Sequence, residues 1–78
     1  MQAVDIFSKG HYYESYLIIK SMETEEFTSF AEQFFIGKVF SLSENKDYKR
    51  YFNKAKNIDK ARYRKELSDF LKFKEDVS

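Results

Sequence analysis

The chain has 78 residues and a net charge of +1, with 42% hydrophobic, 35% charged and 19% aromatic residues, and no Cys, Pro or Trp. That length allows one domain over 1–78, the balance is globular rather than disordered, and the missing cysteine excludes a disulfide framework, thiolate chemistry and a zinc ribbon. No apolar run approaches the roughly 18 residues that span a bilayer, and no basic segment followed by an apolar stretch opens the chain, so a cytoplasmic protein is expected.

Helix formers dominate, and the apolar residues recur at spacings of three and four, which predicts an all-α fold of about four to five short helices arranged as a hairpin array or bundle. The first helix is expected over 2–9, with Ala3, Ile6 and Phe7 on one face and Gly10 ending it in a left-handed turn. A second, over 11–22, carries the stripe Tyr12, Tyr16, Ile19 and Met22, widened by Tyr13 and Leu17. The third is expected over 25–43, capped by Thr24 with Glu25 and Glu26 in its first turn, and carries Phe27, Phe30, Phe34, Gly37 and Phe40. Asn45 or Asp47 starts the fourth, 47–57, striped by Tyr48, Tyr51, Phe52, Ala55 and Ile58. Asp59 starts the fifth, 60–74, striped by Tyr63, Leu67, Phe70 and Leu71, and only Asn57-Ile58-Asp59 argues against one continuous helix.

The joints between these segments carry small and aromatic residues at set spacings. Phe7-Ser8-Lys9-Gly10-His11-Tyr12 reads as bulky, two spacers, Gly, polar, aromatic, and Gly37 is followed by Phe40. Phe52-x-x-Ala55, then Ile58 and Asp59, closes the next unit, and Met22 to Ala55 is 33 residues. This pattern over residues 3 to 60 resembles the paired helices of tetratricopeptide repeats, one residue short of the family period. The chain departs from that pattern at Met22, where the family usually has a small residue, at the bulky Tyr48 or Tyr51 beside the second turn, where the first has Ser15, and at Lys60, where the family has a proline. The resemblance implies that Gly37 and Ala55 let two helices approach, with Phe34, Phe40 and Phe52 filling the space between. It also implies a shortage, because such arrays generally need about three repeats to bury a continuous core. A second copy, a partner protein or more of the same chain would cover the open faces.

Charge divides the chain. Residues 1 to 45 carry three lysines against seven carboxylates, a balance of −4, and residues 46 to 78 carry eleven basic against six acidic groups, a balance of +5. Two functions fit. A protein-interaction module, adaptor or homodimer, would use the rings of Tyr12, Tyr13, Tyr16, Phe27, Phe30, Phe34 and Phe35, since Tyr and Phe favour interfaces. A small nucleic-acid-binding protein would use Lys49, Arg50, Lys54, Lys56, Arg62, Arg64 and Lys65 in the basic stretch 46–65, where Tyr48, Tyr51 and Tyr63 are interleaved. Those tyrosines share the apolar stripe and so belong to the core, which favours the first. The fifth helix is also a candidate to lie on a membrane surface. His11, the only histidine, follows a glycine turn and reads as a surface residue, and Glu23, Glu25 and Glu26 read as a solvated helix start. No phosphate-cradling loop, nucleophile elbow or metal-helix motif is present, so no enzyme, metal, cofactor or small-molecule substrate is expected.

Overall fold

The computed structural model describes residues 7–22 and 27–77. Gly10 takes a φ of +87°, the left-handed turn expected of it, and its N–H donates to the Phe7 carbonyl at 3.0 Å. Most of the expected first helix lies outside the described residues, although Phe7 and Ser8 are helical. Four helices follow in chain order: α1 (Tyr12–Lys20), α2 (Phe30–Leu42), α3 (Tyr48–Ile58) and α4 (Lys60–Val77). The fold is all-α, and among the described residues no strand is present and no helix is long and apolar enough to cross a membrane.

The helix boundaries follow local hydrogen bonding. Ser21 closes α1, its N–H reaching the Leu17 and Ile18 carbonyls and its Oγ donating to Ile18 at 2.7 Å. Helix α2 begins at Phe30, five residues later than expected. Ser29 Oγ accepts from the Glu32 N–H at 3.2 Å, and Glu32 Oε1 accepts from the Ser29 N–H at 3.3 Å. This reciprocal capping box is a stronger start than a threonine with no Glu or Gln three residues on. Phe27 and Thr28 are therefore outside the helix, and the Thr24 cap falls outside the described residues. Gln33 Nε2 donates to the Phe27 carbonyl and ties this segment to α2.

At the other end of α2, Glu44 takes a φ of +60°. Its N–H donates to Ser41 and the Asn45 N–H donates to Phe40, the two crossed bonds of a Schellman stop, at 3.2 and 2.9 Å. Glycine usually fills this position, and a left-handed non-glycine residue costs roughly 1–2 kcal/mol. Glu44→Gly should therefore raise stability by about 0.5–1 kcal/mol after glycine's greater freedom in the unfolded chain is deducted. A lower denaturant midpoint for the variant would contradict this.

Asn45 and Asp47 share the start of α3, as the sequence left open: Asn45 Oδ1 accepts from the Asp47 N–H at 2.9 Å, while Asp47 occupies the cap position. Asn45 Nδ2 also donates to the Tyr16 hydroxyl at 2.8 Å, fastening the loop to α1. Helices α3 and α4 are separate. Asp59 between them is extended, with φ −153° and ψ 98°, and its Oδ1 accepts from the Arg62 N–H at 3.0 Å. A carboxylate cap thus ends one helix and starts the next without a proline.

Helix α2 is the centre of the packing. Its buried residues, Phe30, Gln33, Phe34, Ile36, Gly37, Val39, Phe40 and Ser41, cover more than half of its circumference, and of the rest only Ala31 is exposed, as in a helix enclosed by neighbours. Ile36, Val39 and Phe40 form one cluster with Ile19 from α1 and Tyr51 from α3. Phe30 and Phe34 form a second with Phe52 and Ala55 from α3 and Phe70 from α4. Rings carry much of this contact: Phe34 and Phe52 stack with centroids 5.1 Å apart, and Phe40 meets Tyr51 edge-on at 5.1 Å. Gly37 lies directly against the Phe52 ring, and Ala55 is fully buried beside it.

Candidate functional site

The seven rings expected to form a binding surface separate in the structure. Phe30 and Phe34 are core, with 4% and 3% exposure, and cannot be offered to a partner from this fold. Tyr12, Tyr16, Phe27 and Phe35 are half-buried, and Tyr13 is the exposed one, at 64%. Among the described residues it is the only exposed aromatic ring. The physical reason is the chain's size. A domain this short builds its interior from its largest side chains, leaving few for the surface.

What remains outside is a compact apolar strip on α1. Leu17, 50% exposed, stands one helical turn from Tyr13, so the two share a face. Ser15 and Ile19 on the opposite side are fully buried. Tyr13 leans on Tyr16, their centroids 5.8 Å apart, and the Lys20 ammonium lies 5.8 Å from the Tyr16 ring. His11 and Glu14 border the strip, 3.9 Å apart and well exposed, so His11 is the surface residue its turn position implies. Ile58 and Leu71, at 51% each, are exposed elsewhere, on α3 and α4.

The basic candidates also divide. Lys49 and Lys56 on α3 and Arg64 and Lys65 on α4 are exposed to solvent. Arg50 and Lys54 lie against the Tyr51 ring, 5.1 and 5.5 Å from its centroid. Arg62 lies 4.4 Å above Phe30 and pairs with Glu66 at 2.6 Å. Tyr51 is buried, and Tyr48 and Tyr63 are half-buried, so the interleaved tyrosines serve the core and offer no stacking platform.

One arrangement was not visible in the sequence. Between α2 and α4, under Phe7, lies a cavity of about 250 Å³ lined by Phe34, Lys38, Glu66, Asp69, Phe70 and Phe73. The Lys38 ammonium sits 5.7, 5.6 and 6.0 Å from the rings of Phe7, Phe34 and Phe35. Burial lowers its pKa from the ordinary lysine value, against the opposing pull of the Glu66 carboxylate. As a single lysine on a helix, Lys38 carries no sequence signal, because its neighbours come from three separate segments. Among the described residues no cluster of three or more His, Asp or Glu side chains is placed to hold a metal ion. Comparison with protein-family models, with curated proteins and with solved structures returns no match.

Proposed function

We propose that the chain is a protein-interaction module that pairs with a second copy of itself through the outer face of α1. The observation that carries this is the exposed Tyr13–Leu17 strip, on a helix whose opposite face is already buried in the domain. A two-fold pairing places the same strip on both copies and lets it cover itself. The charge division bears on orientation alone: where the acidic first part of one copy reaches the basic second part of the other, the two attract. The tetratricopeptide resemblance supports the pairing, since an array with so few repeats gains from a covered face. The cytoplasm suits a chain without cysteine.

The strip is small. Specific interfaces bury about 1,200–2,000 Å² in total, and one face of a nine-residue helix supplies only part of that. The expected dimer is accordingly weak, forming in the micromolar range, with apolar burial supplying most of the affinity and charge mainly the orientation. Sedimentation equilibrium from low to high micromolar protein should show self-association that moderate salt weakens without abolishing. Leu17→Glu should shift the equilibrium to monomer while leaving the helical circular dichroism intact, because Leu17 contributes little to the core. A folded monomer across the whole concentration range would defeat the proposal. Strong retardation of nonspecific DNA or RNA by that monomer would instead favour the exposed cations of α3 and α4.

A further inference from the structure

Ten of the eleven lysines have ordinary surroundings. Nine are exposed, and half-buried Lys74 donates to Ser41 Oγ at 3.0 Å. Lys38 differs, because among the described residues its ammonium has no hydrogen-bond or ion-pair partner and is surrounded by ring faces. We propose that Lys38 is a nucleophilic amine that captures a small apolar aldehyde, aromatic or branched, as an imine within the cavity between α2 and α4.

The cavity's own charges select a neutral ligand. Its lining holds one cation, Lys38, and two carboxylates, Glu66 and Asp69. An anionic ligand would meet both carboxylates, and a cationic one would compete with Lys38. An uncharged carbonyl compound meets neither obstacle: its oxygen accepts from Nζ, and its apolar body rests on Phe7, Phe70 and Phe73. A space of about 250 Å³ is ample for a single-ring aldehyde.

The chemistry closes without an oxidant or reductant. The lone pair of neutral Nζ forms a bond to the carbonyl carbon and the C=O π pair moves to oxygen; the nitrogen, now positively charged, gives up one proton as the oxygen takes one up. The resulting carbinolamine loses that hydroxyl as water once a neighbouring acid protonates it, and the C=N bond forms. Asp69 is placed to relay these protons, because it lines the cavity and is exposed, whereas Glu66 is engaged by Arg62. Burial favours the neutral amine that begins the sequence. The three rings then face the iminium where they faced the ammonium, and a less strongly hydrated cation loses less on leaving water.

Reductive trapping tests this on the full chain. Folded protein is incubated near neutral pH with benzaldehyde and cyanoborohydride, and peptide mapping follows label at each of the eleven lysines. Lys38 is expected to label about tenfold or more faster than the exposed lysines, as a desolvated amine in a fitting pocket should. Formaldehyde, too small to use the rings, should show far less preference, and in denaturant the preference should vanish. Asp69→Asn, at an exposed position, should slow labelling at Lys38 and nowhere else. Labelling of Lys38 no faster than Lys60 or Lys65 overturns the proposal. A preference of equal size with formaldehyde, or one that persists in denaturant, removes the cavity from it and overturns it equally.

Discussion

Phe52→Ala is expected to remove a large share of the domain's stability, at a cost of about 3–5 kcal/mol. The ring is 6% exposed and lies at the meeting point of three helices. It stacks on Phe34 of α2 at 5.1 Å, meets Tyr48 of its own helix at 5.8 Å, and meets Phe70 of α4 at 6.0 Å. Truncation forfeits its transfer energy and leaves a cavity that rigid rings cannot readily collapse into. A domain of this size has roughly 4–12 kcal/mol in reserve, so the loss takes a large share of it and unfolds the variant outright where the reserve lies at the low end. Thermal and urea denaturation followed by circular dichroism would measure it. A loss below about 1 kcal/mol would mean that the ring is not the junction of α2, α3 and α4.

The sequence disclosed some of these elements and hid others for physical reasons. Gly10, Gly37 and Asp59 were legible because each does something few residues do: adopt a left-handed turn, admit a ring, or cap a helix behind an extended residue. The start of α2 was also written in the chain, as Ser29-Phe30-Ala31-Glu32, but Thr24 followed by two glutamates drew attention upstream. The end of α2 was legible to within a residue, at 43 against Leu42, but its form was not, since a left-handed glutamate has no compositional mark. The fate of the rings was only partly readable. Period alone shows that Phe27, Phe30, Phe34 and Phe35 cover more than one face. It does not show that α2 is enclosed on nearly every side, so rings that looked available to a partner belong to the core. The cavity at Lys38 was invisible for a related reason, because Phe7, Lys38 and Phe73 are 31 and 35 residues apart and meet only through tertiary packing.

Gly37→Leu should also destabilise the domain, and the way it does so separates close packing from simple loss of glycine. Glycine in the middle of a helix is intrinsically unfavourable, by about 0.8–1.0 kcal/mol relative to Ala, so a substitution that met open space would stabilise α2. Gly37 does not face open space. A Cβ there would come to 2.5 Å from Cε1 and 3.2 Å from Cγ of Phe52. The ring has little freedom to yield, because Phe34, Tyr48, Tyr63 and Phe70 surround it. Overpacking of this kind costs about 1–3 kcal/mol and outweighs the propensity gain once a whole leucine is added. Gly37→Ala is the graded control, with a smaller loss expected. Combined with Phe52→Leu, which withdraws the ring, the alanine should cost less than it does alone or become stabilising, with a coupling of about 0.5–3 kcal/mol across the double-mutant cycle. An unchanged or raised melting temperature for Gly37→Leu would place residue 37 towards solvent and dissolve the close approach of α2 and α3. Purely additive effects in the cycle would show that the cost arises elsewhere than at the ring.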